Sequence, residues 1–212
     1  TYCYFFIDIF LFQFYISIYT VLSFLFFRVV YFLLKKGNVS EIISQNIPSL
    51  MHACISTTCS GYTLLFYTPE NYAFCLQVST GYFISDLVHV ISRKNGKLQL
   101  IGHHVVTCIV YSLPTNILIM WSLFFAECSN IPNCFNYLLI KAKANPKLIK
   151  KVKFYQFYGF LIGRVILAPF MFVFETSNEF TDNHLLFLKI GFGILYPMSL
   201  FWTYKLYRGL NK

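Results

Sequence analysis

Apolar runs alternate along this chain with short polar breaks, and every second break carries lysine or arginine. The runs fall at about 4–34, 48–67, 72–92, 99–113, 117–140, 154–175 and 184–207, each near the ~20 residues that a helix needs to cross a bilayer. Lys35 and Lys36 follow the first run, Arg93, Lys94 and Lys97 the third. Lys141, Lys143, Lys147, Lys150, Lys151 and Lys153 follow the fifth, and Lys205, Arg208 and Lys212 close the chain. The breaks between hold Glu70, then no charge at 114–116, then Glu175, Glu179 and Asp182. The sequence therefore predicts an all-α polytopic membrane protein with seven transmembrane helices. Basic loops stay in the cytosol, so the N-terminus faces the lumen or exterior and the C-terminus the cytosol. The first run is long enough to tilt. The run at 99–113 is short and Pro114 ends or kinks it, which leaves six crossings as the alternative count.

Composition agrees. Of 212 residues, 57% are hydrophobic, 20% aromatic and 12% charged, against roughly 25% charged in soluble domains. Mean hydropathy is +0.60. The length suits one helical bundle and leaves no room for a second, soluble domain. The chain begins at Thr1 rather than Met, which leaves room for a preceding segment. Net charge is +9, concentrated in the loops assigned to the cytosol. There it sets topology and attracts anionic lipid head groups, or steers a phosphorylated substrate such as an acyl-CoA. No nucleic-acid-binding motif accompanies it. Seven cysteines without a CxxC spacing read as small buried hydrophobes rather than disulfides or a zinc ribbon. The sequon Asn38-Val39-Ser40 falls on the cytosolic side and is expected to stay unmodified.

Several ionisable groups nonetheless sit inside apolar runs, where each costs several kcal/mol unless paired or hydrated. At 1.5 Å per residue, His52, Asp86, His89, His103, His104, Asn133 and Asn136 all fall within roughly 10–12 Å of the cytosolic boundary. Arg164 and Glu127 lie deeper, roughly 16–20 Å from the same side. This predicts a polar layer facing a central cavity open to the cytosol. His89 reads as interfacial, and His52 as bonded to a backbone carbonyl or facing the cavity. His103 and His104 diverge by about 100° on a helix, so one acts and the other orients or packs. Asp86 needs a cationic or histidine partner. Asp86–Arg164, Asp86–histidine and Glu127–Arg164 pairs are all open, with Arg164 expected to pair with one of the two acids.

The segments GYFISDL (81–87), HHVVT (103–107) and AECSNIPN (126–133) resemble the TLC-domain family, which includes ceramide synthases and translocon-associated membrane proteins. The resemblance spans roughly Ser40 to Arg208 and is closest to the small TLC-domain-containing proteins. It divides the chain into 1–39, a leading transmembrane helix and cytosolic loop, and 40–212, a six-helix TLC bundle around the cavity. It implies an endoplasmic-reticulum membrane and a function in lipid metabolism. In the synthases the paired histidines and downstream aspartates are catalytic, so the resemblance makes His103 and His104 catalytic, with Asp86 and Glu127 as their acids. The second downstream acid of the synthase pattern is missing here.

The chemistry this implies is acyl transfer from acyl-CoA to an amine, with no cofactor and no metal. A histidine takes the ammonium's proton, or accepts the acyl group itself, while Asp86 or Glu127 fixes its tautomer. His52, Asn133 and Arg164 then bind substrate. The alternative is a non-catalytic protein that binds, senses or transports lipid. A zinc amidase using His52, Asp86 and His104 is a third reading, unsupported by HxxxH or HExxH spacing. Expected partners are membrane lipids or fatty acyl chains, anionic head groups at the lysines, and a second copy of the chain as a homodimer.

Overall fold

The computed structural model describes residues 18–92, 98–111, 117–175 and 182–210. Much of the first apolar run, the basic residues Arg93, Lys94, Lys97 and Lys212, and Pro114 and Glu179 lie outside the described residues. The described residues form helices α1 (Ile18–Lys36), α2 (Glu41–Leu65), α3 (Pro69–Ile91), α4 (Leu98–Tyr111), α5 (Ile117–Lys141) and α6 (Pro146–Phe160). The rod of α6 continues through a π-helical stretch, Leu161–Leu167, into α7 (Ala168–Glu175), and α8 (Asp182–Leu210) follows. Among the described residues there is no strand, as the sequence predicts. Among the described residues three helices are long and apolar enough to cross a membrane, Ile18–Lys36, Pro69–Ile91 and the rod Pro146–Val173, and Leu98–Tyr111 is a shorter apolar helix.

Two helices begin about two turns earlier than the hydropathy pattern predicts. The second starts at Glu41 rather than 48 and carries Pro48 inside it. The lysine-rich stretch read as a loop before 154 is the first turns of α6. Pro146 occupies the opening turn, where its missing N–H costs nothing, and the Asn145 side chain caps the free Lys147 amide at 2.9 Å. Hydropathy marks where a helix is apolar, and capping residues mark where it starts.

The bundle is apolar outside, and its interior mixes polar with apolar side chains. On α1, Leu22, Phe26, Val29 and Leu33 are exposed, while on α2 Ser44, His52, Ser56 and Ser60 are almost wholly buried. Small residues bring the helices close, as packing without a hydrophobic driving force requires. A Cβ on Gly81 of α3 would collide with the Thr20 carbonyl oxygen and lie 2.7 Å from Ser23 Cβ of α1, so only glycine permits this approach. Beside it, the Ser23 hydroxyl donates to the Val78 carbonyl at 2.6 Å. Gly191 of α8 plays the same part against Val110 of α4. Phe27, Tyr72, Leu76, Phe83, Ile119 and Leu123 fill the apolar centre.

Buried hydroxyls stand on α2 at Ser44, Ser56, Ser60 and Thr63. Ser44 donates to the Ser40 carbonyl at 3.1 Å, Ser60 to that of Ser56 at 2.5 Å, and Thr63 to that of Cys59 at 2.8 Å. Each is satisfied within its own helix, which lets the polar face of α2 lie buried against α5 and α3.

Candidate functional site

Two histidine–carboxylate pairs form around the Phe83 ring of α3. The first joins α4 to α3. His104 Nε2 lies 2.9 Å from Asp86 Oδ2, the histidine side chain 7% exposed and the aspartate 24%. The second joins α2 to α5. His52 Nδ1 lies 3.5 Å from Glu127 Oε2, with exposures of 0% and 6%. Phe83 touches all three rings, its centroid 5.2 Å from that of His52, 5.5 Å from His104 and 6.1 Å from His103. The sequence left three pairings of Asp86, Glu127 and Arg164 open, and Asp86 takes the histidine.

In the first pair, the hydrogen bond to Asp86 holds the proton on His104 Nε2, because a carboxylate accepts and cannot donate. His104 Nδ1 is then an unprotonated lone pair, and it is buried with no hydrogen-bond partner. His103 points elsewhere, as two adjacent helical residues must. Its ring meets Trp202 of α8 edge-on at 5.4 Å. A cleft between α1, α2 and α3 exposes Asp86 and is lined also by Arg28, Tyr31, Tyr82 and His89. It has room for about one water and sits to one side of the bundle, whereas the sequence reading places a central cavity there.

His89 at the mouth of this cleft is more than interfacial. Its Nε2 lies 3.3 Å from Glu41 Oε1, it meets the Gln45 amide, and its ring packs on Tyr31 at 4.6 Å. Glu41 also takes Lys35 Nζ at 2.6 Å and the Tyr31 hydroxyl at 3.0 Å. Lys35 chiefly holds the Glu41 carboxyl below its ordinary value of 4.5.

The second pair ends a directional chain of amides. Asn136 Nδ2 donates to Gln156 Oε1 at 3.0 Å, and Gln156 Nε2 to Asn133 Oδ1 at 2.6 Å. Asn133 Nδ2 donates to Asn130 Oδ1 at 3.0 Å, and Asn130 Nδ2 to Glu127 Oε2 at 3.5 Å. Every donor points toward Glu127, so the dipoles add in favour of negative charge there. Asn133, assigned to substrate from the sequence, has both polar atoms engaged in this chain. His52 is stacked on Tyr82 at 3.8 Å and 9°, and its Nε2 is 2.8 Å from Ser56 Oγ. The sequence reading did not pair His52 with Glu127, nor single out Ser56, Tyr82 or Gln156. The only sequence signal was the four-residue spacing of His52 and Ser56.

Arg164 contradicts its expected role as an ion-pair partner. It lies in the π-helical stretch, with Nε donating to Ser129 Oγ at 2.8 Å, a terminal nitrogen to the Ala126 carbonyl at 2.6 Å, and its plane over the Phe160 ring at 4.2 Å. Neither Asp86 nor Glu127 comes within ion-pair distance. Backbone and ring density replace the missing carboxylate. Cys54, Cys59, Cys75, Cys128 and Cys134 carry free thiols, and no group of three or more metal-ligating side chains occurs among the described residues.

The histidine pair on α4, the acid of the ISD segment on α3 and the AECSNIPN stretch of α5 thus gather around the Phe83 ring. No curated protein and no solved structure matches the chain. The family model described as TLC domain, of the TRAM, LAG1 and CLN8 type, matches residues 42–208, and the chain belongs to that family of membrane proteins.

Proposed function

We propose that this protein transfers an acyl group from acyl-CoA to a lipid amine, with His104 as general base and Asp86 as its orienting acid. The observation that carries this reading is the tautomer: Asp86 occupies Nε2 and leaves Nδ1 as a buried lone pair with no partner. An attacking ammonium must lose a proton as it adds to the thioester carbonyl, and the open Nδ1 lone pair of His104 takes it. The thiolate of CoA then departs. His103 packs against α8 and steers its neighbour.

In this reading the chain crosses the endoplasmic-reticulum membrane seven times, with the lysine-bearing ends of α1, α5 and α8 in the cytosol. Exposed Lys141, Lys143, Lys147, Lys150 and Lys151 attract anionic head groups and the CoA phosphates. A tag after Lys212 should then read cytosolic. Glycosylation of Asn38 would place the basic loops in the lumen and end the cytosolic-donor mechanism.

A second reading, lipid binding or sensing without turnover, is favoured by the small cleft beside Asp86, which must widen to take an acyl chain. Acyl-CoA consumption in liposomes decides between them. His104→Ala should abolish turnover with the fold intact, and His103→Ala should mainly lower the melting temperature. If neither variant changes lipid occupancy and the wild type never turns over, the binder replaces the enzyme.

A further inference from the structure

The buried hydroxyls of α2 share one habit, from which Ser56 departs. Ser44, Ser60 and Thr63 each bond a carbonyl of the preceding turn. Ser56, 1% exposed, instead meets His52 Nε2 at 2.8 Å and the Ser79 hydroxyl of α3 at 2.9 Å. His52 has Glu127 on its other nitrogen. At 3.5 Å this is an ion-pair separation rather than a hydrogen bond, yet the carboxylate's charge favours the proton on the nitrogen that faces it, which leaves Nε2 to accept from Ser56. Ser79 then donates to Ser56. Serine, histidine and acid stand in the order that activates a serine nucleophile, and the amide chain through Asn130 orients the acid.

We propose that Ser56, His52 and Glu127 form a second, serine-based acyl-accepting site inside the bundle, distinct from the His104–Asp86 pair. Its donor class is a lipid carboxylic ester or thioester, because the rings of Phe27, Tyr82 and Phe83 pack around its histidine. In the step, Ser56 Oγ adds to the acyl carbonyl carbon as its proton passes to His52 Nε2. The tetrahedral adduct collapses, the C–O or C–S bond of the donor breaks, and the leaving oxygen or sulfur takes that proton from His52. An ester on Ser56 Oγ remains and the histidine is neutral again. No oxidant or metal enters the balance. The 3.5 Å between His52 and Glu127 must shorten to about 2.8 Å for the carboxylate to hold the imidazolium that forms. Tyr82 is the door. Its ring lies flat on His52 and also lines the cleft, held by one hydrogen bond from its hydroxyl to Ser49 at 2.8 Å.

The test is labelling of the full-length protein in liposomes with two fluorophosphonates, one methyl and one long-chain alkyl, with the adduct located by peptide mass spectrometry. The expected result is a phosphonyl adduct on Ser56 that disappears in Ser56→Ala and forms about 10³-fold more slowly in His52→Ala. Tyr82→Ala should speed it. His104→Ala should leave it unchanged, so this site can fail while acyl transfer at His104 stands, or the reverse. No adduct with either probe in both the wild type and the folded Tyr82→Ala variant overturns the proposal. So does a Ser56 adduct that forms equally fast in His52→Ala, because the histidine would then not activate the serine.

Discussion

The two histidine–carboxylate pairs are alike in chemistry and opposite in setting. His104–Asp86 is short, and its acid borders the cleft. His52–Glu127 is longer, sealed from solvent, and held at one end by four amides and at the other by two serines. A carboxylate at a cleft can exchange protons and meet a ligand. A sealed carboxylate is costly to bury unless every lone pair is answered, and so it is tied to its neighbours. Loss of the first should therefore cost little stability and loss of the second a good deal, whatever chemistry each supports.

The largest expected effect tests that contrast directly. Glu127→Ala removes the end of the amide chain and should cost on the order of 3 kcal/mol of unfolding free energy in mixed micelles. Asp86→Asn keeps an acceptor for His104 Nε2 and should cost only about 1 kcal/mol while acyl transfer is lost. Equal stability losses in the two variants would erase the distinction.

A somewhat smaller effect sharpens the exposed side. Gly81 lets α1 form a wall of the cleft, and Gly81→Leu should push α1 away at a cost of about 1–3 kcal/mol. Solvent access, measured by hydrogen exchange, should rise on the His89 side of α3 and stay unchanged at the α2–α5 seam. Exposure of both seams together would make the two regions one cooperative unit.

Arg164 tells whether the sealed pair leans on a distant cation. Its hydrogen bonds go to Ser129 and Ala126, so a double-mutant cycle of Arg164→Ala with Ser129→Ala should give coupling of about 1 kcal/mol. The cycle of Arg164→Ala with Asp86→Asn should give less than about 0.5 kcal/mol. The reverse ordering would restore the ion pair that the sequence suggested.

The smallest effect is at the mouth of the cleft. Lys35 lowers the Glu41 carboxyl from its ordinary 4.5, so the ionised form is the one the fold favours. Its support is complete above the ordinary value and disappears as pH falls through the lowered one. The wild type should therefore melt slightly above Glu41→Gln at pH 7, with the gap closing below pH 4.5. A gap that widens on acidification would mean that the neutral carboxyl is the favoured form.

The sequence by itself determined the class, the family and the helical runs. Apolar length and basic breaks are properties of consecutive residues, and a bilayer reads them one span at a time. It also brought His103, His104, Asp86, Glu127 and Asn133 forward, because an ionisable or amide side chain in an apolar run stands out without any knowledge of its neighbours. Helix starts at Glu41 and Pro146 were partly legible, in Asn145-Pro146, yet hidden by the polar residues around them. Tertiary structure alone decided the partners. Asp86 took His104, Glu127 took His52, and Arg164 took a serine and a carbonyl, although all three acid–base pairings had looked equally open from depth. Depth is one coordinate, fixed by the rise of a helix. Pairing also needs the rotation of each helix about its axis and the identity of its neighbour. Those are set by close approaches such as Gly81 on α1 and Gly61 on Phe124, where side chains far apart in sequence first meet.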